Sequence, residues 1–178
     1  MEASTELGAG AERIEGMDWL REFGERYQAA WNAHDPDAVA ACATEDIVWE
    51  DPALPEPARG RAEVADFVRA TATGFPDYRF TEPGAPAISD DGLVAYVPWR
   101  MTGTNTGPIE PPGFAPTGRS FAIEGVDLWR FRGGMIWRYR GVYDFAEIAR
   151  QLGLLPGRGG LAERAVVGMQ RLRVRLPL

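Results

Sequence analysis

The chain has 178 residues, enough for one globular domain, and its composition of 45% hydrophobic and 25% charged residues is typical of a folded protein. Its formal net charge of -7 argues against binding to nucleic acid or to an anionic membrane surface. The chain has one cysteine and one histidine, Cys42 and His34, so an internal disulfide and a soft-ligand zinc site are both excluded.

The sequence divides into three parts. Residues 1–16 are rich in Gly, Ala and Glu without periodicity, which predicts a mobile tail. This segment has no basic start followed by an apolar run, and the chain has no long apolar stretch, so we expect a cytoplasmic protein. Residues 17–156 form the predicted domain, an α+β fold around one pocket. Residues 157–178 predict a basic amphipathic helical extension that covers the pocket, contacts a partner subunit or frays.

The domain begins with helices. Leu20, Phe23, Tyr27 and Trp31 recur at spacings of three and four, which predicts one apolar face of an amphipathic helix. Asp35 followed by Pro36 predicts the start of a second, short helix. A strand ending near Asp51 and a third helix, whose apolar positions include Phe67, follow in turn.

The remaining elements are mostly strands. Asp90-Asp91-Gly92 predicts a turn before a strand over residues 93–104. Gly133-Gly134 predicts a hairpin between long strands over residues 120–132 and 135–143. The spacing of Asp144 and Glu147 predicts a capped final helix. This order of elements predicts a curved antiparallel or mixed sheet wrapped over the N-terminal helices, giving a cone with a hollow middle.

Three polar side chains are predicted to face this hollow. Asp51 is two residues from Trp49, and Asp127 is two residues from Trp129, so in a strand each carboxyl points to the same face as that tryptophan. Tyr27 lies on the apolar face of the first helix. Burial would raise the pKa of a carboxyl group and make it a better base near neutral pH. Alternatively, Asp127 would point to solvent or pair with Arg100 or Arg138. The aromatic residues expected to bind substrate in the pocket are Trp31, Trp49, Phe67, Trp129, Trp137, Tyr139 and Tyr143.

Two families resemble this chain. Residues 27–35 (YQAAWNAHD), 48–52 (VWEDP) and 126–131 (VDLWRF) are similar to bacterial ketosteroid isomerases, without a gap from Tyr27 to Asp51. Residues 102–108 (TGTNTGP), 116–119 (PTGR) and 151–156 (QLGLLP) resemble SnoaL-like polyketide cyclases, although Asn105 stands where many relatives carry His. Both families share the nuclear transport factor 2-like, cystatin-like α+β roll.

The resemblance implies a function. The residue matching Asp51 would transfer a proton, and those matching Tyr27 and Asp127 would donate hydrogen bonds to an oxyanion. We therefore expect a cofactor-independent isomerase or cyclase that acts on a hydrophobic polyketide-, steroid- or terpenoid-like carbonyl compound, with no metal and in a homodimer. The alternatives are a non-catalytic ligand-binding or interaction module and, less favoured, an epoxide hydrolase of the limonene type. The latter would need an Arg-x-Asp motif, which the sequence lacks.

Overall fold

The computed structural model describes residues 10–175 of the chain. The helices in this range are α1 (Met17–Asn32), α2 (Pro36–Ala41), α3 (Gly60–Gly74), α4 (Phe145–Gln151) and α5 (Leu161–Arg175). The strands are β1 (Ala43–Glu50), β2 (Ala58–Arg59), β3 (Arg79–Thr81), β4 (Ala87–Ile88), β5 (Ala95–Thr104), β6 (Ser120–Arg132) and β7 (Met135–Tyr143). None of the helices described has both the length and the hydrophobicity needed to cross a lipid bilayer.

The described strands form one mixed sheet in the order β2-β1-β7-β6-β5-β3, with β4 paired to β5. The long strands β5, β6 and β7 are antiparallel neighbours, whereas β1 pairs with β7 in parallel. The sheet curves around the helices, so its inner face and α1 enclose the core. This arrangement confirms the predicted α+β cone.

The N-terminal helices follow from their local sequence. The apolar face of α1 is buried, with Leu20, Phe23, Tyr27 and Trp31 each at most 6% exposed. The Asp35 carboxylate accepts hydrogen bonds from the backbone N–H groups of Asp37 and Ala38, so it caps α2 as predicted. Three residues separate the end of α1 from the start of α2.

The hairpin between β6 and β7 also forms as predicted. Gly133 and Gly134 both have positive φ angles, 58° and 69°, as a tight hairpin turn requires. The turn allows two long strands, of 13 and 9 residues, to pair along most of their length. Asp144 then caps α4 by accepting a hydrogen bond from the backbone N–H of Glu147.

The prediction of a mobile tail through residue 16 is wrong for its last residues. The backbone N–H of Glu12 donates to the carbonyl of Phe131 at 2.8 Å, and that of Ile14 donates to the carbonyl of Gly92 at 2.9 Å. The Glu12 carboxylate also accepts a hydrogen bond from the N–H of Gly133. Composition did not reveal this segment because backbone pairing with a sheet needs no hydrophobic periodicity. Residues 1–9 lie outside the described residues.

The C-terminal segment contains the helix α5. Its apolar side chains are largely exposed to solvent, among them Leu161 at 82%, Met169 at 64% and Leu172 at 61%. The interpretation of residues 157–178 as a separate extension stays a prediction, and residues 176–178 lie outside the described part.

The loop between β5 and β6 is anchored by Asn105, whose side chain is fully buried. Its Nδ2 donates to the carbonyls of Gly74 and Gly107 at 3.2 and 2.7 Å, and its Oδ1 accepts from the N–H of Thr117 at 2.8 Å. These contacts tie the loop to the C-terminal end of α3. Asn105 therefore has a structural role at this position.

Replacing Asn105 with Ala is expected to lower the free energy of unfolding by about 2–3 kcal/mol, because it leaves buried backbone groups without partners. Urea unfolding monitored by circular dichroism measures this change. Thr106→Ala, at the exposed neighbouring position, is the control and should alter stability by less than about 0.5 kcal/mol. Equal stability of the two variants would contradict the anchoring role.

Candidate active site

The interior of the cone contains a cavity of about 500 Å³. It lies between the inner face of the sheet and helices α1, α3 and α4, and residues 109–114 of the β5–β6 loop contribute to its lining. Most of the lining is apolar or aromatic, as in cavities that bind small organic molecules. The polar exceptions lie mainly on the sheet side, where two carboxyl groups and several ring hydroxyl or N–H groups meet.

Asp51 follows directly after β1 and is partly buried in the cavity wall. Its Oδ1 accepts two hydrogen bonds, from the Tyr143 hydroxyl at 2.6 Å and from the Ala53 N–H at 2.9 Å. Its Oδ2 accepts none from the described residues and is free for a ligand. Burial raises the pKa of Asp51 above its usual value, and the two hydrogen bonds partly oppose this rise.

Asp127 lies in the middle of β6 and is only 5% exposed. Its Oδ1 also accepts two hydrogen bonds, from the Trp99 indole Nε1 at 2.6 Å and from the Tyr139 hydroxyl at 2.8 Å. Burial raises the pKa of Asp127 to about 7, although both hydrogen bonds act in the opposite direction. Around neutral pH this carboxyl is therefore protonated in a large fraction of molecules, and Oδ2 is the oxygen left to carry the proton.

The alternative that Asp127 pairs with an arginine is wrong. Arg100 lies 3.5 Å from Glu124 on the outer face of the sheet, and the Arg138 guanidinium lies 3.8 Å from the Trp137 ring. Within residues 10–175, Asp127 forms no salt bridge. Because no cation compensates its charge, burial dominates its pKa.

Tyr27 extends from α1 into the same cavity. Its side chain is 5% exposed, and its hydroxyl finds no hydrogen-bond partner among the described residues. A buried hydroxyl without a partner costs free energy that a ligand oxygen could recover. Burial, followed by the nearby Asp127 carboxylate, raises the pKa of Tyr27 well above its usual value, so this hydroxyl stays a donor.

Two glycines make room for this arrangement. A Cβ atom at Gly125 would lie 2.4 Å from the Trp99 ring, so glycine is required for the indole to reach Asp127. Gly141 pairs with Asp127 across the β6–β7 ladder, and a Cβ there would lie 3.2 Å from Asp51 Oδ2. A side chain at position 141 would therefore crowd the free oxygen of Asp51.

Five of the seven aromatic residues predicted to bind substrate line the cavity: Trp31, Phe67, Trp129, Tyr139 and Tyr143. The prediction for Trp49 is wrong, because its ring is fully buried behind the wall and stacks on Tyr139 with centroids 3.5 Å apart. Trp49 thus supports Tyr139 from behind and does not itself line the cavity.

The prediction for Trp137 is also wrong. A bulge in β7 pairs Arg138 with Arg130 but Ile136 with Phe131, so Trp137 is skipped in the ladder. Ile136 takes the inward position, and Trp137 packs against the guanidinium groups of Arg132 and Arg138. Simple strand alternation from Tyr139 does not reveal this change of face.

Trp99 is a site residue that was not predicted from the sequence. Trp99 lies on β5, where alternation with Val97 and Met101 places it on the inner face, so a signal was present in the strand pattern. Its bond to Asp127 depends on the register of β5 against β6, which pairs Trp99 with Gly125.

Residues 10–175 contain no group of three or more His, Cys, Asp or Glu side chains arranged to hold a metal ion.

Comparisons with solved structures identify the fold. TsrD from Streptomyces laurentii superposes with a TM-score of 0.68 and 23% identity, covering 80% of this chain and 100% of that one. A protein named as a candidate SnoaL-like polyketide cyclase from Jannaschia sp. CCS1 gives a TM-score of 0.66 and 18% identity, covering 83% and 100%. A Catenulispora acidiphila protein with a ketosteroid isomerase-like fold gives 0.61 and 20%, covering 74% and 92%.

No curated protein matches this chain in sequence. The family model of the SnoaL-like domain does match, over residues 24–139, which is more than half of the chain. The match begins within α1, ends at Tyr139 in β7, and includes Tyr27, Asp51 and Asp127. The chain therefore belongs to the SnoaL-like domain family.

Proposed function

We propose that this protein catalyses cofactor-independent proton transfer next to a carbonyl group of an apolar polyketide-, steroid- or terpenoid-like molecule, as an isomerase or cyclase. One observation carries the proposal. Asp51 and Asp127 line one aromatic cavity, and each has its Oδ1 held by two donors and its Oδ2 free. A pair of carboxyl groups with different environments suits one basic and one acidic role.

In this mechanism Asp51 is the base. Its ionised Oδ2 takes a proton from the carbon next to the substrate carbonyl, and the C–H electron pair forms the enolate. Desolvation raises the basicity of this carboxylate, and the hydrogen bond from Tyr143 keeps it oriented. In an isomerase, Asp51 returns the proton to another carbon. In a cyclase, the enolate carbon attacks a second carbonyl group of the same molecule.

Asp127 and Tyr27 are the proposed donors to the developing oxyanion. The protonated Asp127 carboxyl and the unpartnered Tyr27 hydroxyl would each donate a hydrogen bond to the enolate oxygen. The low polarity of the surrounding walls strengthens such bonds. The chain contains no lysine, so an enamine route through a lysine Schiff base is not available to it.

The experiment is proton exchange in heavy water. The protein is incubated with cyclic enones and polyketide-like ketones, and α-deuteration is followed by NMR or mass spectrometry. Enzyme-dependent exchange supports the proposal. If ligands bind but no compound exchanges, the protein is a binding module. The epoxide hydrolase alternative is disfavoured further because no arginine lies among the described residues that line the cavity.

The proposal includes two further expectations from the sequence, which are that the protein forms a homodimer and that it is located in the cytoplasm.

A further inference from the structure

The charged groups of the cavity all have one sign. Four acidic side chains lie among its described lining residues, Asp51, Glu82, Glu110 and Asp127, and no arginine or histidine does. The chain has 19 basic residues and no lysine, so this absence reflects where the arginines lie. Arg138 and Arg140 flank Tyr139 on β7. Both are on the outer side of the sheet, where Arg138 contacts Trp137 and Arg140 contacts Glu50.

The four acidic side chains differ in their exposure to solvent. Asp51 and Asp127 lie in the wall, whereas Glu82 and Glu110 are exposed to solvent. Glu82 follows β3 two residues after Phe80, and Glu110 belongs to the β5–β6 loop. Glu82 and Glu110 are therefore the two lining carboxylates that are in contact with solvent.

A negatively charged ligand meets an unfavourable potential along this path. An ionised Asp51 about 5 Å from a ligand carboxylate, at an effective dielectric constant of about 20, weakens binding roughly 250-fold relative to an uncharged analogue. Within the described range 10–175, no positive side chain lines the cavity to offset this effect. The exposed glutamates add a smaller repulsion that salt screens.

An amine-bearing ligand meets the opposite situation. The aromatic rings of Trp31, Phe80 and Trp99 form a continuous wall, with centroids 5.2 Å apart for the first pair and 5.6 Å for the second. Ring faces and nearby carboxylates together stabilise an ammonium group. Glu82 follows Phe80 by two residues, so one of the four acidic residues is close in sequence to this aromatic wall.

We propose that this cavity selects by charge, so that it binds apolar molecules that are uncharged or carry an ammonium group and rejects carboxylate analogues of the same skeleton, with Glu82 and Glu110 as specificity-determining residues. The inference rests on the proposed function only for the location of the site and the ionised state of Asp51. It implies that a substrate whose precursor carries a carboxylate arrives after esterification, amidation or decarboxylation has removed that charge.

The test uses three naphthalene probes with one skeleton: 2-(naphthalen-2-yl)ethanol, 2-(naphthalen-2-yl)ethylamine and 2-naphthylacetate. Isothermal titration calorimetry at pH 7.5 and low ionic strength measures their binding to the full chain. We expect the alcohol and the amine to bind and the acetate to bind at least ten-fold more weakly. The double variant Glu82→Gln/Glu110→Gln should reduce the preference for amine over alcohol, because it weakens amine binding more than alcohol binding.

A matched control removes the same two charges elsewhere. Glu50 and Glu124 lie opposite Arg140 and Arg100 and do not line the cavity, so Glu50→Gln/Glu124→Gln should leave the order of the three probes unchanged. Acetate binding as tight as alcohol binding, no binding by any probe, or the same effect from both double variants would overturn the proposal. Binding needs no turnover, so charge selection without deuterium exchange would refute only the proposed function. Exchange without charge selection would refute only this inference.

Discussion

Replacing Asp51 with Asn is expected to reduce enzyme-dependent deuterium exchange about 10²–10⁴-fold, the range that a positioned general base contributes. The amide keeps the shape and the position of the side chain but cannot take a proton from carbon. Ligand binding should survive, because the cavity wall stays intact. Exchange followed by mass spectrometry, together with calorimetric binding of the same ketone, separates the two effects.

Asp90→Asn is the control for this variant, since Asp90 is an exposed carboxylate in the turn before β5. It should exchange at the wild-type rate. Thermal unfolding should show Asp51→Asn at least as stable as the wild type, because the ionised Asp51 carboxylate is disfavoured by burial. A variant that keeps full exchange would assign the base to another residue.

The second prediction concerns pH and Asp127. As the base, Asp51 must be ionised, so exchange should rise with pH through its pKa, which burial raises above the usual value. As a donor, Asp127 must be protonated, so exchange should fall as the pH rises through about 7. The apparent second-order rate constant of exchange should therefore follow a bell-shaped profile whose alkaline limb belongs to Asp127.

Variants identify that limb. Asp127→Asn keeps a hydrogen-bond donor that does not titrate, so the alkaline limb near pH 7 should disappear, whereas Asp127→Leu should lose about 10²–10³-fold in rate. Trp99→Phe removes a hydrogen bond that favours the ionised carboxylate, so the limb should move to higher pH.

Trp137→Phe is the matched control for Trp99→Phe, because Trp137 lies outside the cavity beside two arginines. It should leave the pH profile in place. A purely structural role of Trp99 would lower the rate without moving the limb. An alkaline limb that persists in Asp127→Asn would assign the titrating donor to a group other than Asp127.

Local sequence patterns determined most of the framework of this protein. The apolar face of α1, the Asp35 cap and the Gly133-Gly134 hairpin depend on residues close together in the chain, so periodicity and turn chemistry suffice to predict them. The same patterns predict that Tyr27 lies on an inward helix face and that Asp51 points to the same strand face as Trp49.

Tertiary structure decided the details of the site. The bulge that turns Trp137 outward and the register that brings Trp99 to Asp127 depend on pairing between strands that are distant in sequence. The same pairing places Gly125 where a side chain would clash with the Trp99 ring, and Gly141 where one would crowd Asp51 Oδ2. Sequence alone contains the acidic residues, but only the fold brings Asp51, Asp127, Glu82 and Glu110 to one cavity and keeps the arginines away from it. The raised pKa values of Asp51 and Asp127 follow from burial, which is a property of the packed chain.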